Sequence, residues 1–325
     1  MRSVRILMST NSIRSKSESG MLMAKRIRPK INQHELFQEV IKKRQDILQS
    51  ESAPPFATLP RREMGGYGEQ KLDILRSYFY SYSAIVSNHF KRFHYLETCA
   101  GPGVCTQRGS GRLVLGTPFL AMTNKPAFTR FHFVEIKSAL CQALQTRKDL
   151  HCPEVDAEIV NDDCNNCAKS IVENLPKNSP VLMVMDPEGL ELKWETTVVP
   201  LAEHPRSELF INFPFDMGIM RCISPNVSPE TEHAVTTYMG TDVWKPIRDD
   251  YLQGNISHDN LREAFLRLYT ERLQGLGLKE IQVSRLVRSD NNQPLYFLIS
   301  ASRKRVASKI MKDIMKIPVA HQSML

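Results

Sequence analysis

The sequence predicts an α/β protein built on a mostly parallel sheet with helices on both faces. Three observations carry that expectation. Five short apolar runs, at 93–97, 130–135, 157–160, 181–186 and 208–213, each end in polar or small residues. Helical apolar spacing fills the stretches 137–148, 164–175 and 193–203 between them. Strands that alternate with crossover helices pair in parallel. Last, IQVSRLV and PLYFLIS flank Ser289-Asp290-Asn291-Asn292-Gln293, a turn-forming stretch that predicts a closing antiparallel hairpin.

The other elements follow in chain order. Residues 34–48 place Leu36, Phe37, Val40, Ile41 and Ile47 at helical spacing, with Leu48 beside them. SAPPFATLP then carries three prolines and reads as a linker. Residues 69–90 form a second helix, with Leu72, Ile74, Leu75, Tyr78, Phe79, Tyr82, Ile85 and Val86 as its apolar positions. Residues 229–275 read as helices with Leu261, Phe265, Leu266, Leu268, Tyr269 and Leu273 on a core face. A basic amphipathic helix, 303–316, follows the hairpin. The expected organisation is a basic arm and linker over 1–62 and one domain over 63–325, with a helical insertion at about 226–276.

Composition narrows the function classes. The chain has 325 residues, 42% of them hydrophobic and 24% charged, which is ordinary for a globular protein. Its longest apolar runs fall short of the ~18 residues that span a bilayer, so no membrane anchoring is expected. Seven cysteines, an odd count in a long chain, argue for a reducing, cytoplasmic setting over a disulfide scaffold. The formal net charge of +8 is concentrated: residues 1–62 hold 13 Lys and Arg against 5 Asp and Glu, and the remainder is balanced. The Ser- and Arg-rich start lacks a secretory apolar core. A solvated tail, a nucleic-acid contact, a transit peptide and a true start at Met21 or Met23 all stay open. Arg303, Lys304, Arg305, Lys309, Lys312 and Lys316 give the final helix a second basic face, for nucleic acid or for solvent. Residues 151–250 hold 18 acidic against 7 basic residues, which disfavours a nucleic-acid groove there.

Ligands of open parallel sheets bind at the carboxyl ends of the strands. Those ends hold Glu97, Glu135, Asn161-Asp162-Asp163, Asp186 and Asn212, acids or amides in every case. Glu97 runs into Thr-Cys-Ala100-Gly101-Pro-Gly103, small residues that let a ligand approach the backbone. The pattern is neither GxGxxG nor a Walker loop, and Gly109, Gly111 and Gly116 read as part of a long loop. Glu135, about 30 residues on, is placed to accept hydrogen bonds from two ribose hydroxyls; an ordinary exposed acid is the alternative. Asp186-Pro187-Glu188-Gly189 resembles the [DN]PP[YF] element of amino-methyltransferases, in which a side chain and the Pro carbonyl accept from a target amine. No aromatic follows it, so a base-stacking platform is missing from this stretch.

These motifs resemble the three-Cys-motif partner (TcmP) family over roughly residues 67 to 316. The resemblance rests on Lys71 and Tyr78, Glu97-Thr-Cys-Ala-Gly-Pro-Gly103, Gly116-Thr-Pro118 and Asp163-Cys-Asn165. It continues through Asp186-Pro-Glu-Gly189, Asn212-Phe-Pro214, Arg221 and Leu295-Tyr296-Phe297. Glu97 stands where the family commonly has Asp. The resemblance implies a Rossmann-like class I methyltransferase sheet and S-adenosylmethionine as cofactor. It implies Glu97, Ala100, Gly101 and Gly103 at the methionine end, Glu135 at the ribose, and Asp162 or Asp163 near the adenine. Asp186, Pro187, Glu188 and Asn212 are then catalytic, Lys71 and Arg221 bind substrate, and a radical-SAM-like three-Cys-motif protein is the partner. The alternatives are a non-catalytic nucleic-acid-binding or adaptor module with the same shell, and a Mg²⁺ nuclease using the strand-end acids.

Cys164-Asn-Asn-Cys167 is a lone CxxC; with His151 and Cys152 it makes four zinc-type donors, but a predicted strand intervenes. Small structural thiols are the favoured reading, and no metal is expected. His94 and His132 fall inside predicted strands and read as core or sheet-face residues.

Overall fold

The computed structural model describes residues 33–316. Before the main sheet come α1 (Gln33–Ser50), β1 (Arg62–Met64) and α2 (Tyr67–His89). The sheet itself begins with β2 (His94–Glu97), followed by β3 (Val104–Gln107), β4 (Leu113–Leu115), α3 (Thr117–Met122), β5 (Arg130–Val134) and α4 (Ser138–His151). Next are β6 (Ala157–Val160), α5 (Cys164–Asn174), β7 (Val181–Met185), α6 (Val199–Glu203) and β8 (Ser207–Phe213). The chain continues through α7 (Pro229–Met239), α8 (Trp244–Leu252), α9 (His258–Gly275), β9 (Glu280–Val283), β10 (Val287–Arg288), β11 (Pro294–Ser302) and α10 (Arg305–Ile314).

The central sheet runs β10-β11-β8-β7-β2-β5-β6, with β9 also paired to β11. β6, β5, β2, β7 and β8 are parallel to one another. β11 is antiparallel to β8, β9 and β10. This is the expected mostly parallel, Rossmann-like sheet with an antiparallel closing hairpin. β7 and β8 are buried at every residue, as helices on both faces require. Alternate side chains feed two cores. Leu96, Met183 and Ile211 join α5, α6 and the helices α7 to α9, while Tyr95, Leu182, Val184 and Phe210 join α2, α3, α4 and α10. The α7–α9 insertion therefore packs on the sheet, through Tyr238, Trp244, Phe265 and Tyr269, all fully buried.

The chain adds β5 and β6 on one side of β2, then returns to add β7 and β8 on the other. Crossovers leaving in opposite directions open a crevice at the carboxyl ends of β2 and β7. Glu97 lies opposite Val184, so Asp186 follows close beside it.

Three expectations need correction. The 52–60 stretch is not a free linker: Phe56 is buried and stacks on His151, with ring centroids 4.3 Å apart. Glu51, at the end of α1, is fully buried against Arg147 of α4. The arm boundary expected at 62 therefore falls inside the packed body. Seven of the eight excess positive charges lie in residues 1–32, outside the described residues. Second, the glycine-rich stretch after Gly103 is not a long loop. It forms the β3–β4 hairpin, which joins β1 in a separate three-stranded sheet. Third, Arg303 does not belong to the basic face of the last helix. Its guanidinium turns inward to the carbonyls of Ala202 and Leu276 and the hydroxyl of Ser207.

Candidate functional site

Two chambers open at the crevice. The smaller, about 170 Å³, is lined by Lys71, Glu97, Ala100, Gly101, Gly103, Asp186, Pro187, Asn212 and Tyr296, among others. The larger, about 500 Å³, is lined by Glu135, Ile136, Asp162, Asp163, Leu190 and their neighbours. Arg62, Cys99 and Glu188 line both.

Asp186 ends β7, and both of its oxygens are engaged. Lys71 of α2 donates to Oδ2, and Asn212 Nδ2 donates to Oδ1 at 3.0 Å. Asn212 Nδ2 also reaches the Pro187 carbonyl at 3.4 Å. The amide oxygen of Asn212 is buried and accepts no hydrogen bond. Burial opposes the charge on Lys71, but Asp186 outweighs it and holds the ammonium above its ordinary pKa. Glu97 is buried at the floor, where the Tyr95 hydroxyl donates to it at 3.0 Å. Burial, and then the charge of Asp186, push its carboxyl well above the ordinary range. Burial likewise raises the phenol of Tyr296, whose hydroxyl is unpartnered.

The two loop glycines do different work. Gly101 has φ +66° and open space around it, with the Arg62 side chain as the nearest group. Gly103 has φ +80°, and a β-carbon there would lie 2.7 Å from the Phe119 ring and 2.9 Å from Leu144. Gly103 is thus demanded by packing, and Gly101 keeps the loop open toward the chambers.

Glu135 is already a double acceptor: Gly101 N–H donates to one carboxylate oxygen at 2.8 Å and Lys137 N–H to the other at 2.9 Å. It ties the glycine turn to the end of β5. Asp163 is the N-cap of α5, its side chain accepting from Asn165 N–H at 2.8 Å. Asp162 accepts from Asp163 N–H with one oxygen and faces the larger chamber. Both acids line the larger chamber, and each is bonded through Oδ1.

Arg221 does not join the site. It is exposed on the single helical turn Ile219–Cys222 and lines neither chamber. The resemblance alone assigns Arg221 to substrate; between Asn212 and Arg221 the chain turns back, Gly218 N–H donating to the Pro214 carbonyl at 2.8 Å. Cys164 and Cys167 sit at the start of α5, Cys167 buried and its thiol raised to about 11, chiefly by burial. Burial outweighs the helix N-terminus, so the acidity of Cys167 does not suit a redox pair. His94 and His132 stack on a sheet face with centroids 6.0 Å apart.

Three lining residues, Arg62, Ile136 and Tyr67, carried no sequence signal that singled them out, and Tyr296 did so only within the Leu295-Tyr296-Phe297 resemblance. Arg62 lies in the segment read as a linker. Ile136 is 61% exposed beside Glu135, an apolar side chain at a strand end where a ligand ring has something to rest on. Tyr67 and Tyr296 bring aromatic rings to the smaller chamber from α2 and β11, 6.3 Å apart and edge to face.

No protein-family model matches the chain, and no curated protein matches it. Solved structures share its arrangement at low identity. Protein LPL1258 from Legionella pneumophila is 12% identical, over 74% of this chain and 90% of its own, with a TM-score of 0.47. The O-methyltransferase TomG from Streptomyces achromogenes, solved with SAM, is 9% identical over 80% and 90%, at 0.42. The O-methyltransferase from Bacillus cereus, solved with SAH, is 12% identical over 80% and 90%, at 0.39. Among the described residues, no helix is long and apolar enough to cross a membrane, and no three His, Cys, Asp or Glu side chains converge as a metal site.

Proposed function

We propose that the chain binds S-adenosylmethionine and transfers its methyl group to an acceptor held at Asp186 and Asn212. The observation that carries this reading is the pair of joined chambers at the switch point of the sheet. One is walled by Glu135, Asp162 and Ile136, the other by Asp186, Pro187 and Asn212. The residues fit the cofactor on this chain's own chemistry. The exposed Ile136 suits an adenine face, Asp162 an adenine amine, and the Glu135 carboxylate the ribose hydroxyls. When bound, S-adenosylmethionine supplies an electrophilic methyl group on its sulfonium.

The remaining steps belong to the protein. Asn212 offers an unpartnered oxygen to an N–H or O–H of the acceptor, and its own amide protons hold Asp186 and the Pro187 carbonyl in place. Lys71 neutralises Asp186 until the acceptor arrives. Tyr67 and Tyr296 wall the chamber against water, which favours in-line transfer by orientation. Isothermal titration with S-adenosylmethionine tests the cofactor assignment. The wild type should bind, and Glu135→Ala should bind far more weakly. No binding by the wild type, or equal binding by the variant, removes it.

A finer reading adds a cytoplasmic setting from the cysteine usage, a radical-SAM-like three-Cys-motif partner from the TcmP resemblance, and nucleic acid reached through the basic N-terminal arm and helix α10. Deletion of residues 1–32 should then reduce nucleic-acid affinity and its salt slope. A second reading, a non-catalytic adaptor with the same shell, is favoured by one observation: both Asp186 oxygens are already engaged. Cofactor binding without methyl transfer to any nucleic-acid or nucleotide acceptor would favour the adaptor.

A further inference from the structure

We infer that Arg62, contributed by β1 outside the central sheet, is the binding residue for the carboxylate at the amino-acid end of the ligand. The inference rests on the cofactor reading above. Arg62 is the cation that lines both chambers, where a ligand extending from one to the other must pass it. Its side chain lies against Gly101: a β-carbon on that glycine would stand 3.8 Å from Arg62 Cδ and 3.9 Å from Nε. Arg62 thus covers the turn that leads from Glu97 into the smaller chamber.

The contacts of Arg62 leave it available. Its Nε is buried and has no hydrogen-bond partner. Its two ion pairs are loose, 3.7 Å to Glu135 and 3.3 Å to Glu188. Neither acid needs it. Glu135 takes two backbone N–H groups at 2.8 and 2.9 Å, and Glu188 is 60% exposed and lies 3.8 Å from Lys137. The other cation of the smaller chamber, Lys71, is committed to Asp186. A guanidinium presents a planar fork of donors that matches a carboxylate, and a ligand carboxylate would give the idle Nε its partner. The contrast with Arg147 is instructive, because that guanidinium has every nitrogen bonded within the protein.

Two probes that differ only in the carboxylate isolate the contact: S-adenosylmethionine and decarboxylated S-adenosylmethionine, titrated into wild type, Arg62→Ala and Arg62→Lys. The wild type should prefer the carboxylated probe by about tenfold or more, the size of a charge-assisted hydrogen bond. Arg62→Ala should lose that preference and bind the decarboxylated probe as the wild type does, which also shows that the variant is folded. Arg62→Lys should keep part of it. If Arg62→Ala keeps the full preference, or weakens both probes equally, Arg62 is structural and the inference fails. A wild type that binds both probes equally overturns this inference and leaves the cofactor reading standing. A wild type that binds neither overturns both.

Discussion

Two of the ion pairs that join the segment before β2 to the body differ in kind. Glu51–Arg147 is fully buried, with bonds of 2.7 and 3.0 Å between them and further bonds from Arg147 to the carbonyls of Pro60 and Pro102. Every guanidinium nitrogen is bonded, and neither chamber is lined by the pair. Lys71–Asp186 is partly open, with side chains 15% and 18% exposed, and it borders the smaller chamber beside the unpartnered oxygen of Asn212. Both are carboxylates against a cation. What separates them is whether the surrounding groups are satisfied and whether a ligand can reach them. A closed, saturated pair holds the fold together; an open pair next to an unsatisfied atom is held ready for something else.

Breaking the closed pair should have the largest effect. Arg147→Ala leaves Glu51 buried with Arg61 as its remaining ion-pair partner and strips the Pro60 and Pro102 carbonyls of their donor, and should cost about 3 kcal/mol in denaturant unfolding. A loss below 1 kcal/mol would mean that the 51–60 segment is not fixed to α4. Lys71→Ala should change stability by less, about 1 kcal/mol, because water reaches the pair. Its main consequence should be on methyl transfer or acceptor binding, with cofactor affinity kept. A Lys71 variant as destabilised as Arg147→Ala would erase the distinction between the two pairs.

Titration sharpens the same comparison on groups that lack good partners. Burial pushes Glu208 up to about 8, with only the Ser302 hydroxyl, 3.5 Å away, in its favour. The native state then holds a proton that the unfolded chain releases near pH 4.5. Stability from this group is present below that pH and falls as the pH rises toward 8. Glu208→Gln should flatten that slope and be more stable than the wild type at pH 8. His94 has the opposite sign. Burial, and then His132, lower it to about 4, so stability is present above pH 6.5 and falls as the pH drops toward 4. His94→Asn should remove part of that acid sensitivity, the smallest of these effects, read from melting temperatures between pH 7 and 4.5.

Much of the fold was legible because the central strands are short apolar runs bounded by breakers and buried on both faces. Their carboxyl-end residues could be named for the same reason, and Glu97, Asp186 and Asn212 do meet. β3 and β4 were not legible. Their residues, VCTQ and LVL, are too few and too mixed for a period to emerge, and β3 pairs with β1, some 40 residues earlier. Arg62 and Phe56 were hidden by the prolines around them, which mark a break in helix or strand and say nothing about packing. Arg221 entered through the family resemblance alone, and the order of motifs along a chain does not fix which side chains line a chamber.

The sequence by itself determined the order of elements, the parallel sheet and the acids at its strand ends, since periodicity and strand polarity are local properties of the chain. The tertiary structure alone decided what each acid is tied to. Glu135 holds two backbone N–H groups at the wall of the larger chamber, Asp163 caps α5, and Asp186, Asn212 and Arg62 converge from three separate elements. That selection depends on who satisfies whose hydrogen bonds across the fold, which no single stretch of sequence records.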